Sequence, residues 1–171
     1  ELNENTKKDL LGELLKRSPN NYGQYEAAVA DIVNAVKERG DEAVFGYTKQ
    51  FDRCTVTADT VRVKEEEIRE ALEAVGPEFC RVMERSAANI RAFHEKQLRR
   101  SWFDAKPDGT ILGMKVLPLS SAGVYVPGGK AAYPSSVLMN VIPAKVAGVE
   151  RIVMVTPPGP DGKVNAGTLA A

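Results

Sequence analysis

The hydrophobic positions divide the chain into two textures. Leu10, Leu11, Leu14 and Leu15 recur at helical spacing behind Thr6, a candidate cap, and Ser18-Pro19-Asn20-Asn21 breaks that run. Ala28, Ile32, Ala35 and Val36 share one side of a second predicted helix over residues 25–38, which Gly40 ends. Asp41 is placed to cap a third helix, over residues 42–50. Val61-Arg62-Val63 is a short strand candidate. A charged helix over residues 64–75 should stop at Gly76, and Pro77 suits the first turn of another that runs to about Leu98.

Past Ser101 the period changes. Asp108-Gly109 lies between Trp102-Phe103 and the stretch 110–117, which predicts a hairpin. Gly123-Val124-Tyr125-Val126 reads as a buried strand closed by Pro127-Gly128-Gly129. Ser135 or Ser136 is placed to open a helix through Val137, Leu138, Val141, Ile142 and Val146. Pro143 should kink or break it, because proline lacks the backbone donor, and Gly148 marks its end. Residues 151–155 form the next strand, and helical character returns after Asn165. Strand, glycine-rich turn, helix and strand make a βαβ unit and imply a parallel sheet. The expected fold class is therefore α/β. A helix-rich region with a short hairpin occupies residues 1–120, and the first βαβ of an incomplete parallel-sheet domain occupies residues 121–171. The repeat stops at the first turn of a helix, so the chain is expected to be a piece of a longer protein.

Composition narrows the function classes. Apolar residues make up 43% of 171 residues and charged residues 27%, an ordinary globular balance. Basic and acidic residues number 23 each, so no net positive field exists to hold a nucleic acid. No apolar run approaches a bilayer span, and residues 1–8 lack the apolar stretch of a secretory signal, so a cytoplasmic location without membrane contact is expected. Cys54 and Cys80 stand far apart and read as reduced structural thiols.

The chemistry-bearing candidates are few. Tyr125, Gly128, Gly129 and Lys130 sit at a strand-to-helix junction. There, glycines let a ligand approach the backbone, Tyr125 can meet a ring and Lys130 a phosphate. The alternative is a turn that needs glycine for its dihedrals and tyrosine for packing. The usual Gly-x-Gly-x-x-Gly pattern is missing. His94, the single histidine, lies three residues before Gln97 on one helix face and reads as a contact residue. One histidine builds no zinc site alone. Glu65-Glu66-Glu67 reads as a solvated helix start and Ser135-Ser136 as a cap.

The run GVYVPGGKAAYPSSVLMNVIPAKVAG, residues 123–148, resembles the signature region of histidinol dehydrogenases. Lys49-Gln50-Phe51-Asp52, Ile90 with Phe93-His94 and Gln97, Trp102 and the stretch 151–158 agree with it. The resemblance implies a Rossmann-like domain and a zinc-containing, NAD-dependent enzyme of histidine biosynthesis. It would oxidise L-histidinol to L-histidine through the aldehyde, as a cytoplasmic homodimer or higher oligomer. It places the family's NAD-contacting tyrosine at Tyr125. It assigns no catalytic residue and no metal ligand to this chain, since the family's acid–base pair and zinc ligands lie further along. The chain alone is therefore expected to be inactive. Two rivals are a related dehydrogenase of another small polar alcohol, such as a sulfonated diol, and a non-catalytic assembly module.

Overall fold

The computed structural model describes Asn3, Thr6, residues 22–128 and residues 132–171. They fall into two compact units, residues 1–46 and 47–171. The leucine-bearing helix expected over residues 10–15 lies outside the described residues. Thr6 is itself helical rather than a cap preceding a helix, and Asn3 Oδ1 accepts its backbone N–H at 2.8 Å and its hydroxyl at 2.9 Å.

In the first unit, helix α1 spans Gly23–Arg39. The Gly40 N–H closes it on the Val36 carbonyl at 2.8 Å. Helix α2, Asp41–Phe51, starts here. Asp41 does not precede it as a cap but is its first residue, because the Gly40 carbonyl already accepts from Ala43 and Val44.

The second unit carries the remaining elements. Val61-Arg62-Val63 is a bend rather than a strand: the Thr57 carbonyl takes the N–H groups of Thr60 and Val61, so the backbone is committed to a turn. Helix α3 spans Glu65–Glu95 with a break at Gly76 (φ 75°, ψ 170°), immediately before Pro77. Proline disfavours the helical region for the residue before it, and its ring clashes with the preceding turn, so the two expected helices meet at this kink. The second half ends at Glu95, short of Leu98, and closes through a turn in which Gln97 donates to the His94 carbonyl.

Strands β1 (Trp102–Ala105) and β2 (Ile111–Met114) form the expected antiparallel hairpin, Trp102 opposite Met114 and Ala105 opposite Ile111. Strands β3 (Ser121–Tyr125) and β4 (Arg151–Val155) pair in parallel, Ser121 opposite Arg151 and Tyr125 opposite Val155. Helix α4, Pro134–Val146, connects them. Neither Ser135 nor Ser136 caps it. Pro134 takes the first helical position, where its missing N–H costs nothing, and Tyr133 precedes it without a side-chain cap. Pro143 does not break the helix, which runs through it to Val146. It lacks the N–H that would bond the Met139 carbonyl four residues back, so one hydrogen bond is lost while the turn continues, the Ala147 N–H reaching the Pro143 carbonyl at 2.9 Å. Beyond it the N–H groups of Gly148 and Val149 return to the carbonyls of Lys145 and Ala144, a left-handed glycine stop with Gly148 at φ 87°. Helix α5, Ala166–Ala170, follows β4.

Burial alternates along both parallel strands. Ala122, Val124, Ile152 and Met154 are half-buried on the side where α4 packs, while Gly123, Tyr125, Val153 and Val155 are exposed on the other. Helix α3 packs against α4 and α5. The core lies among these elements, with Ala71, Val126, Val137, Leu138 and Ile142 buried. Among the described residues no helix is long and apolar enough to cross a membrane.

Candidate functional site

The carboxyl ends of β3 and β4 point the same way, and ligands of open α/β sheets collect at such ends. The ladder extends one step past β3 through the Val126 N–H, which donates to the Val155 carbonyl at 2.9 Å. Val126 is fully enclosed and anchors the chain as it leaves the strand. Gly128 then passes close to the loop after β4. A Cβ placed on it would stand 3.0 Å from the Pro157 carbonyl oxygen and 3.3 Å from both Pro157 Cδ and Thr156 Oγ1. The absence of a side chain at 128 therefore lets the two strand-end loops nest.

Beside this contact lies a cleft of about 390 Å³, bordered by Gly128, Thr156, Pro157, Asp161, Lys163 and Thr168, among others. Asn165 also borders it, and its Oδ1 accepts the N–H groups of Gly167 (2.9 Å) and Thr168 (3.3 Å) to start α5. That bond fixes the buried Thr168 at the cleft wall. The loop between β4 and α5 is closed on itself. Gly159 N–H donates to the Lys163 carbonyl at 2.8 Å, Gly162 N–H to the Gly159 carbonyl at 2.9 Å, and Lys163 N–H to Asp161 Oδ1 at 3.1 Å. Lys163 Nζ reaches Glu70 Oε2 on α3 at 3.5 Å.

Of the four candidates from the sequence, two can be placed. Gly128 borders the cleft. Tyr125 is 61% exposed at the end of β3 and shares the open sheet face with Val153 and Val155 rather than lining the cleft. Gly129 and Lys130 lie outside the described residues. Thr156, Asp161, Lys163, Asn165 and Thr168 were not singled out from the sequence. The signal for them was positional: Thr156-Pro157-Pro158-Gly159-Pro160-Asp161-Gly162 is a turn-rich segment directly behind a parallel strand.

The remaining candidates sit elsewhere in the fold. His94 Nδ1 donates to Gln97 Oε1 at 2.7 Å, and the Phe93 ring meets the imidazole edge-on at a centroid distance of 5.3 Å. Glu67 Oε2 accepts the Lys64 N–H at 2.8 Å, and Glu66 pairs with Arg69 at 2.7 Å. Both carboxylates serve the helix start. Cys54 is buried and Cys80 half-buried, each as a free thiol.

A dinucleotide and a metal place different demands on this site. Small-molecule clefts span about 300–1,000 Å³, and 390 Å³ lies at the small end of that range. Gly128 and the polar groups of Thr156 and Asp161 border that space, whereas Tyr125 presents its ring on the open sheet face outside it. For zinc the residues do not fit: among those described, no group of three or more histidine, cysteine, aspartate or glutamate side chains converges.

Comparison with known proteins gives a consistent picture. The sequence profile of the family described as histidinol dehydrogenase matches residues 15–171. A histidinol dehydrogenase of Heliobacterium mobile is 54% identical over 143 residues, covering 84% of this chain and 34% of that protein. One from Bacillus licheniformis is 56% identical over 144 residues, covering 84% of this chain and 33% of its own length. The crystal structure of histidinol dehydrogenase from Elizabethkingia anophelis superposes with a TM-score of 0.78 at 32% identity, over 85% of this chain and 33% of that one. The chain thus spans about a third of the length of the curated relatives it matches.

Proposed function

Because the chain belongs to the histidinol dehydrogenase family, we propose that it forms the first part of an NAD-dependent enzyme that oxidises L-histidinol to L-histidine through the aldehyde. The observation that carries this reading is the family match across residues 15–171. The α/β fold with its parallel β3–β4 pair supports it, since a cleft lies at the strand ends, where ligands of such sheets collect. Within the whole protein, residues 1–120 are the helix-rich region and residues 121–171 open the Rossmann-like domain. The protein acts in the cytoplasm as a homodimer.

Bound NAD supplies the hydride acceptor, and the protein supplies position and electrostatics. Tyr125 offers an exposed ring at the end of β3. Gly128 keeps the wall of the cleft thin, and the buried Val126 holds both in place. Zinc and the groups that move protons belong to parts of the enzyme outside this chain. The relatives described above give no support to a sulfonated diol as substrate.

The test is spectrophotometric. A longer protein that contains this chain should reduce NAD with L-histidinol and zinc, while the 171 residues alone should leave the NADH absorbance flat. Turnover by the 171 residues alone would refute the division of labour. A longer protein that ignores histidinol and oxidises a sulfonated diol would refute the substrate.

A further inference from the structure

We propose that the β1–β2 hairpin is a docking surface for the part of the protein outside this chain, which adds a strand along β2 and covers both faces of the ribbon. The inference goes beyond the catalytic reading and needs only that the chain belongs to a longer protein. About a third of each curated relative matches this chain, so the larger part of the polypeptide is available to supply the cover.

The two faces of the ribbon are the first observation. The pleat sends Trp102, Leu112 and Met114 to one face and Phe103, Ala105 and Ile111 to the other. Every residue of both strands is exposed, and Trp102, Phe103, Ile111 and Leu112 are each more than half so. A two-stranded ribbon is at best marginally stable in water without a third strand or a packed face. Contiguous apolar surface of this kind marks a contact site.

The edge shows what kind of cover fits. Among the described residues the ribbon stays two-stranded, so the outer side of β2 is unpaired. The Lys106 N–H bonds the Thr110 carbonyl at 2.8 Å. In an antiparallel ladder that makes Asp104–Leu112 and Trp102–Met114 the hydrogen-bonded pairs, and it turns the backbone groups of Ile111 and Gly113 outward. Natural edges are guarded by charge or proline. The β2 segment Ile111-Leu112-Gly113-Met114 carries neither, whereas β1 carries Asp104. An unguarded edge is suited to receive an extended segment, with backbone bonds along the edge and apolar side chains over the faces. The same hairpin of a second copy fits less well. A two-fold contact buries one self-complementary patch on each partner, so it covers one face or one edge, and here both faces and the β2 edge are open.

The experiment uses a longer protein that contains this chain. The photo-cross-linker p-benzoylphenylalanine replaces Ile111 and, separately, Leu112, on opposite faces of the ribbon, and mass spectrometry identifies the linked peptides. Both positions are expected to link to peptides from outside the 171 residues. Amide exchange followed by NMR on the unaltered longer protein should show the outward N–H groups of Ile111 and Gly113 protected by about tenfold or more, as a paired strand requires. No link, links to the hairpin of a second copy, links confined to the 171 residues, or unprotected amides at Ile111 and Gly113 each overturn the proposal. NAD reduction with L-histidinol by the unaltered longer protein reports on the catalytic reading alone, and its absence leaves a positive cross-linking result standing.

Discussion

Gly128 lies against Pro157, at the 3.0 Å approach that a Cβ would make to the Pro157 carbonyl oxygen. The neighbouring atoms belong to backbone and a proline ring, so they yield less readily than the tip of a flexible side chain. Gly128→Ala is expected to push the loop after β4 outward and to cost about 1–3 kcal/mol, the usual range for overpacking. Urea unfolding monitored by circular dichroism reads the cost. An unchanged midpoint would show that the two loops do not nest as described.

Asn165 sets where α5 begins, through two backbone N–H groups on one side-chain oxygen. Asn165→Ala should lose about 1 kcal/mol, whereas Asn165→Asp, which keeps the acceptor, should stay within a few tenths of the parent. Equal losses for both replacements would rule out capping as the cause.

The break in α3 makes a different demand. At φ 75° and ψ 170° Gly76 occupies a region essentially closed to residues with a side chain, although nothing lies within 4 Å of where a Cβ would stand. The cost of Gly76→Ala is therefore conformational rather than steric, about 1–3 kcal/mol. Gly76→Asn should not recover it, because asparagine tolerates the left-handed helical region and not this extended one. Recovery by asparagine, read from thermal unfolding, would contradict the assigned backbone geometry.

Asp108 shows the one resolved shift among the titratable groups of the described residues. The backbone N–H of Thr110, donating to its Oδ1 at 2.9 Å, and then the Thr110 hydroxyl hold its carboxyl below the ordinary aspartate value of about 3.9. A depressed folded-state pKa means that the bond supports the hairpin turn above the unfolded value and is lost as pH falls through the folded one. The effect is confined to acid, below about pH 4. In an NMR titration the Asp108 carboxyl should show a midpoint below that of an unstructured aspartate, and the Thr110 amide should move with it. Asp108→Asn should flatten the acid-range movement of Thr110. A midpoint at or above the unstructured value would remove the bond from the account.

Much of the fold was legible because its signals are local. The hairpin around Asp108-Gly109, the strands through Tyr125 and Val155, the stop at Gly148 and the break between Gly76 and Pro77 each follow from residues close together in sequence. Local signals also misled where two of them competed. Val61-Arg62-Val63 has strand composition, but the Thr57 carbonyl claims its backbone for a turn. Ser135 and Ser136 are good caps, but Pro134 had already begun the helix. Pro143 is a helix breaker, but the helix loses one donor there and still runs on to Val146.

The candidate site divides along the same line. Gly128 was visible as a glycine at a strand-to-helix junction, and Tyr125 as its neighbour, from the order of residues alone. The sequence also determined the α/β class and the family, because hydrophobic periodicity and a long signature run are properties of consecutive residues. Tertiary structure decided that Gly128 faces Pro157 and that Asp161, 33 positions further on, borders the same cleft. It also decided that Tyr125 faces the open side of the sheet. Those relations depend on the register of β3 against β4 and on how α3, α4 and α5 pack, and no pattern along the chain encodes a distance between residues that only folding brings together.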